Sequence, residues 1–202
     1  MKKALLLVCI LSISVITTAC INSFAVQELN GKAMTYMEQG NYQEAIERLK
    51  SSIDIDNSVF ESHYNLAVAY TKTEDYINAM KSYQKAINLN PDFADSYYSL
   101  AVAEENLAVD LESGTLFLDE NGDLKTSQED AVYSDDLSVS EKNEVKLTDS
   151  EKQYILDLRN DAIKNYNEYL SRSKSSEDEE EVKNQISKLE KSISLETDKV
   201  KE

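Results

Sequence analysis

Residues 60–93 read FESHYNLAVAYTKTEDYINAMKSYQKAINLNPDF. Small and aromatic side chains recur along this stretch at helical spacing, in two runs that a short polar turn separates. Two antiparallel helices can approach closely only where the side chains between them are short, and aromatic rings fill the space beside such contacts. The stretch therefore predicts a helix–turn–helix unit whose helices pack through alanines.

The same pattern recurs at a spacing of 34 residues on both sides of this stretch. Three positions of the preceding unit carry matching residues: Tyr36, Tyr42 and Ala45 stand 34 positions before Tyr70, Tyr76 and Ala79. Three positions of the following unit match as well, with Tyr97, Leu100 and Ala101 standing 34 positions after His63, Leu66 and Ala67. Two units in register and the start of a third predict a repeat array.

Single residues mark the ends of these helices. Gly40 suits a left-handed end for the first helix of the preceding unit. Ser58 with Glu61 has the spacing of a capping box at the start of the central unit. Pro91 is predicted to open the first helix of the following unit.

The repeated unit resembles the tetratricopeptide repeat, a helix–turn–helix of 34 residues. The residues that carry the resemblance are Leu66, Ala67 and Tyr70 in the first helix, Tyr76, Ala79, Tyr83 and Ala86 in the second, and the closing Pro91. The resemblance implies an all-α solenoid of about three repeats. Residues 26–111 contain the first two repeats and the first helix of the third, whose second helix follows later in the chain. Such arrays need a terminal helix to cover their exposed end.

An acidic insertion, residues 112–147, interrupts the third repeat. Within it, Asn121-Gly122 lies between two β-prone arms and predicts a short hairpin over 115–126, followed by a solvated loop. The alternating Asp119, Asn121 and Asp123 suggest a calcium loop as an alternative. The sixth position of that motif requires glycine and is leucine here, which favours a plain hairpin turn.

Helical periodicity resumes after the insertion. Residues 148–171 open with a capping-box pair, Thr148 and Glu151, and are predicted to be the displaced second helix of the third repeat. A last helix is predicted within 172–202. Its apolar stripe has two interpretations, a helix that caps the solenoid or a short coiled-coil seam for self-association. The stripe consists of Val182, Ile186, Leu189, Ile193 and Val200.

Composition narrows the function classes. The net charge of −17 disfavours binding to nucleic acid, whose phosphates an acidic surface repels. The chain has a single histidine, His63, and we expect it to pack in the helical core. With no phosphate-binding loop, nucleophile motif or metal-ligand spacing, the sequence predicts a non-enzymatic protein without cofactor or metal.

The N-terminus has the pattern of an export signal. A basic start and an apolar run lead to Thr17-Thr18-Ala19-Cys20, which resembles a bacterial lipoprotein signal peptide over residues 1–19. Cleavage would leave Cys20 as the lipidated first residue, with 20–25 as a linker, and would tether the protein to the bacterial cell envelope. Plain secretion and an uncleaved membrane anchor are the alternatives.

The resemblance also implies a concave groove lined by the first helix of each repeat. Carried onto this sequence, the principal groove positions are Met34, Glu61, Tyr64, Val68, Lys72, Asp95, Tyr98, Val102 and Glu105. Their apolar and aromatic centre with a polar rim is typical of a surface that binds a peptide or helix. The alternative is that the chain's own tail fills the groove.

The groove positions also bear on the kind of partner. The family's best-known mode holds a C-terminal carboxylate with cations, but the corresponding places here are Asn30, Met34, Asn65, Asp95 and Ser99. A basic or amphipathic partner suits such a groove better. The sequence thus predicts an envelope-tethered adaptor that binds a protein partner, with a self-assembling structural lipoprotein as the alternative.

Overall fold

The computed structural model describes residues 21–119, 121–126, 146–173 and 178–199, and within them the fold is almost entirely helical. Residues 21–38 are helical and are called α1 here. The elements that follow are α2 (Tyr42–Ile55), α3 (Phe60–Lys72), α4 (Tyr76–Leu89), α5 (Ala94–Glu112), β1 (Leu116–Leu118), β2 (Leu124–Thr126), α6 (Asp149–Arg172) and α7 (Glu179–Lys199). The chain forms two compact units, one ending at Ser96 and the other beginning at Tyr97.

The first unit is built from helices packed through alanine. Ala45 of α2, Ala67 of α3, and Ala79 and Ala86 of α4 have no exposed surface. Aromatic rings surround these contacts, and Tyr83 of α4 is almost completely buried. The predicted helix–turn–helix repeat is therefore confirmed.

The turns of the first two repeats have the same geometry 34 residues apart. Gly40 has a φ of +76°, and the backbone N–H of Asn41 donates to the carbonyl of Tyr36 at 2.8 Å. In the next repeat Glu74 has a φ of +60°, and Asp75 donates to Tyr70 at 3.0 Å. This bond closes a helix whose end is left-handed, a conformation that favours glycine. Glu74 adopts this left-handed conformation in the second turn although it is not a glycine.

A buried polar cluster joins the first three helices. The side-chain amide of Asn30 donates to the hydroxyls of Ser52, at 3.1 Å, and Ser62, at 2.8 Å. Ser52 and Ser62 have no exposed surface and lie 3.1 Å apart. Asn30 thus points into the unit, although the repeat pattern makes it a groove position. The Asn30 amide nitrogen and the two serine hydroxyls are hydrogen-bond partners of one another there, whereas the buried Oδ1 of Asn30 has no partner among the described residues.

The second unit contains the hairpin that the acidic insertion predicted. Strands β1 and β2 are antiparallel, with Leu118 opposite Leu124. The Asp119 carboxylate accepts the backbone N–H groups of Asn121 and Asp123, each at 2.9 Å. This is the plain hairpin turn that the sequence favoured, with the carboxylate closing the turn.

The hairpin is attached to α6 through the capping box. Glu151 donates its N–H to the Thr148 hydroxyl at 3.2 Å and accepts the Thr148 N–H at 2.8 Å. Its other carboxylate oxygen accepts the N–H of Leu118 at 3.0 Å. The predicted capping box is confirmed, and it also fixes the position of β1.

Helix α7 packs against α6 and buries Val182 and Leu189. Arg159 of α6, itself buried, forms ion pairs with Glu112 of α5 and Glu196 of α7. One guanidinium therefore links the three helices of the second unit. The last helix is a cap on this unit, as the first of its two interpretations predicted.

Three local expectations differ from the structure. Residues 21–25, predicted as a linker, are helical and continuous with the rest of α1, because Val26 is buried and the helix that carries it extends back through them. Helix α5 begins at Ala94 rather than at Pro91. The Ser58 hydroxyl donates to Asp56 at 2.6 Å instead of capping α3. Residues 1–20, with the predicted signal and Cys20, and the loop over 127–145 lie outside the described residues.

Candidate functional site

The first unit presents its predicted groove residues along α1 and α3. Met34 of α1 is 48% exposed, and its sulfur lies 3.9 Å from the side-chain amide nitrogen of Asn65 on α3. Val68 is half-buried on α3, while Glu61 and Lys72 are exposed near the two ends of that helix. The two helices thus form a face with an apolar middle and one charge of each sign at its ends. We call it the α1/α3 face.

Tyr64 lies on the same helix but is held mainly by packing. Its ring meets the edge of Tyr83, with centroids 5.8 Å apart, and of Phe93, at 5.1 Å. Edge-to-face contacts of this kind stabilise aromatic pairs and fix ring orientation. Tyr64 therefore supports the α1/α3 face more than it adds exposed surface to it.

The second unit brings together three more predicted residues, Tyr98, Val102 and Glu105 on α5, which line one cavity of about 190 Å³. The cavity is completed by residues of three helices: Asn106 of α5, Tyr166 of α6, and Glu181, Val182 and Gln185 of α7. We call it the Tyr98 cavity. Asp95, in the first turn of α5, is exposed and is not part of its lining.

Aromatic rings form one wall of the Tyr98 cavity. The Tyr98 ring lies 5.6 Å from that of Tyr166 and 5.3 Å from that of Tyr169. Tyr98 is nevertheless 38% exposed. Burial, and after it the nearby Glu181 carboxylate, raises the pKa of Tyr98 above its ordinary value, so its phenol is neutral under physiological conditions.

Glu105 forms the polar wall of the cavity. One of its carboxylate oxygens accepts the Tyr166 hydroxyl, and the other accepts the Gln185 side-chain amide. Burial and the bond to Glu105 raise the pKa of Tyr166, which keeps that phenol a donor. Both partners of Glu105 are uncharged, so its negative charge is oriented but not neutralised by them.

Part of the predicted groove is thus covered by the chain itself. Glu181, Val182 and Gln185 of α7 lie on the α5 face that the repeat pattern assigns to a ligand. Sequence reasoning found Val182 as a member of an apolar stripe but had no signal for the neighbouring Glu181 and Gln185. Which element covers α5 depends on tertiary contacts that helical periodicity does not encode.

Glu104, next to Glu105 in the sequence, has a different environment. It is only 4% exposed, and the Asn165 side-chain amide donates to both of its oxygens, at 3.0 and 2.9 Å. Burial raises the pKa of Glu104 from 4.5 to about 8. The two adjacent carboxyls therefore contact separate partners.

His63, the single histidine of the chain, is a packing residue. It is buried, and its Nε2 lies 3.0 Å from the carbonyl oxygen of Asn57. Burial lowers its pKa and favours the neutral ring. In the part of the chain that the structure describes, no group of three or more His, Cys, Asp or Glu residues could hold a metal ion. No described helix is both long and apolar enough to cross a membrane.

Family comparisons match three overlapping segments. Residues 34–73 match a profile described as TPR repeat, and residues 60–93 and 82–129 match profiles described as tetratricopeptide repeat. A comparison with curated protein sequences finds no match. The profile matches agree with the repeats that the packing and turn geometry show.

Solved tetratricopeptide-repeat domains share the fold at low sequence identity. The first TPR of Spaghetti (RPAP3), bound to the HSP90 peptide SRMEEVD, is 17% identical, with a TM-score of 0.55 over 85% of this chain and 95% of that one. The Arabidopsis OM64 TPR domain is 11% identical, with a TM-score of 0.55 over 83% and 98%. The second TPR domain of human RPAP3, in complex with the HSP70 peptide SGPTIEEVD, is 15% identical, with a TM-score of 0.53 over 84% and 98%.

The buried Glu104 predicts a pH-dependent stability. The unfolded chain ionises this carboxyl near 4.5, whereas the folded chain keeps it protonated up to about 8. Its contribution to stability is therefore complete below pH 4.5 and is lost as the pH rises toward 8, by at most about 1.4 kcal/mol per pH unit. Glu104→Gln, which is neutral at every pH, should flatten the fall of the melting temperature across this range. Exposed Glu47→Gln is the control and should follow the wild type; a Glu104→Gln curve as steep as the wild type's would contradict the assignment.

Proposed function

Because the chain is a tetratricopeptide-repeat protein over residues 34–129, we propose that it is a non-enzymatic adaptor that binds a peptide or helix of a partner protein. The observation that carries the proposal is the α1/α3 face. Alanines of α1 and α3 are buried in internal packing, while Met34 and Val68 on this face remain accessible between its charged ends. Apolar anchors within a polar rim are the composition of peptide-binding surfaces.

The chemistry of the face points to a basic or amphipathic partner. The neighbours from RPAP3 are bound to peptides that end in EEVD, which carry acidic side chains and a terminal carboxylate. In this chain the places where such ligands would need cations hold only Asn30, Met34, Asn65, Asp95 and Ser99. With a net charge of −17, an acidic peptide would be repelled and a basic one attracted.

We place the adaptor at the bacterial cell envelope, tethered through Cys20. The support is the sequence pattern of residues 1–20, a basic start, an apolar run and a small residue before cysteine. The exposed Ile21 and Phe24 at the described start of α1 are compatible with a lipid surface nearby. A lipid-anchored domain would hold its partner beside the membrane.

Self-assembly through the last helix, the alternative function, has less support. Of the predicted seam, Val182 and Leu189 are buried and α7 packs against α6 of the same chain. Leu195 is the exposed large apolar side chain of α7 within the described residues. A seam needs several such residues in successive heptads.

An affinity capture from crosslinked native membranes tests the adaptor role. Met34→Ser with Val68→Ser removes the accessible apolar anchors of the α1/α3 face and should weaken partner binding about tenfold or more, since each anchor contributes roughly 1 kcal/mol or more. Val109→Ser is the matched control, because it removes an exposed apolar side chain of α5 that lies outside the predicted groove positions. We expect a protein retained by the wild type and by the control to be lost with the double variant.

The melting temperatures of the three proteins must agree, so that the loss reports binding and not unfolding. Equal retention of the same proteins by the double variant, or no retained protein with any bait, would contradict the proposal.

The tether is tested by the fate of Cys20. In cells fed an alkyne-labelled fatty acid, the wild-type chain should incorporate the label and remain with the membranes, whereas Cys20→Ser should lose both properties. Mass spectrometry of the N-terminus separates the alternatives. An unlabelled mature chain would indicate plain secretion, and retention of residues 1–19 would indicate an uncleaved anchor; either result would overturn lipidation.

A further inference from the structure

We propose that the Tyr98 cavity is a subsite for one cationic side chain, a lysine or an arginine, of the partner. The inference rests on the proposed adaptor function and assigns a specific contact to it. It is carried by three features of the cavity, namely its size, the aromatic and apolar surface of its walls, and the two carboxylates, Glu105 and Glu181, that line it.

The size suits a single side chain. The cavity measures about 190 Å³, below the range of roughly 300–1,000 Å³ that is usual for small-molecule sites. Residues of three helices line it, and Tyr98, one of them, is 38% exposed to solvent. An extended side chain entering from a bound peptide fits this shape better than a free metabolite does.

The walls suit the two parts of a lysine or arginine side chain. Val102 and Val182 offer apolar surface to the methylene stem, which such residues bury readily. The rings of Tyr98 and Tyr166 line the same space, and a guanidinium or ammonium group is attracted to the face of an aromatic ring. The second unit already contains one contact of this kind, with the Arg172 guanidinium 4.5 Å from the centroid of the Tyr97 ring.

The negative charge of the cavity favours a cationic side chain as its ligand. Glu105 and Glu181 both line the cavity, and no lysine or arginine is among its lining residues in the described part of the chain. Glu105 is bonded to two neutral donors, and Glu181 forms no ion pair with another described residue. After burial, the carboxylates of Glu181, Asp178 and Glu105 are among the causes that raise the pKa of Tyr98, which is consistent with a negative potential at its ring.

Lys188, a lysine close to the cavity-lining Gln185, lies in a different cavity. The Lys188 ammonium lies 3.5 Å from the side-chain oxygen of Gln185 and lines a neighbouring cavity with Arg159 and Leu189. Glu105 borders both cavities. Lys188 therefore does not occupy the Tyr98 cavity.

The test compares two probes of nearly equal shape and different charge. The ¹⁵N-labelled full chain is titrated with Nα-acetyl-arginine amide and with Nα-acetyl-citrulline amide, in which a neutral urea replaces the guanidinium. We expect the arginine probe to shift the amide signals of Tyr98, Glu105 and Gln185, and to bind about 3- to 10-fold more tightly than the citrulline probe.

Two variants of α7 sharpen the result. Glu181→Gln should weaken the arginine probe about 2- to 5-fold and leave citrulline unchanged. Glu180→Gln is the matched control, because it removes the same charge from the same exposed first turn but does not line the cavity. Equal binding of the two probes, shifts located elsewhere, or an equal effect of both variants would overturn the subsite.

The result for the cationic subsite can be distinguished from the result for the adaptor function. Failure of the arginine probe, together with a captured partner that depends on Met34 and Val68, would overturn the cationic subsite and leave the adaptor in place. Specific binding of the arginine probe, with no captured partner, would support the subsite and contradict the adaptor.

Discussion

The close approach of antiparallel helices through alanine is the constraint on which the rest of this structure depends. Ala45, Ala67 and Ala79 have no exposed surface, and a larger side chain at any of them would force its two helices apart. Because one side of each helix is committed to this contact, the opposite side of α1 and α3 remains accessible. The same packing that forms the repeat therefore determines which residues of these helices are exposed.

Features governed by local physical chemistry could be predicted from the sequence. The alanine spacing gave the repeat and its register, since short side chains are required wherever the helices touch. Gly40 indicated a left-handed helix end, and Thr148 with Glu151 indicated a capping box, because each motif is completed within a few residues. The hairpin was predictable in the same way from its Asn-Gly turn.

Features that depend on contacts distant in sequence could not be predicted. Asn30 occupies a groove position of the repeat but binds Ser52 and Ser62 inside the first unit, because those two serines present hydroxyls there. Glu104 and Glu105 differ in environment because α6 brings Asn165 to one, while α6 and α7 bring Tyr166 and Gln185 to the other. Helix α7 covers part of α5 because of how the helices pack together. A periodic apolar stripe on one helix does not specify which other helix will contact it. The first unit was therefore predictable in more detail than the second.

In the proposed adaptor, a partner protein lies on the side of α3 opposite its alanine contacts. Site-specific photocrosslinking in living cells tests it most directly, with benzoylphenylalanine at Val68 of α3 and, for comparison, at the exposed Gln84 of α4. We expect a discrete covalent adduct from position 68 and none from position 84. An adduct from position 84 alone, or the same adduct from both, would contradict it.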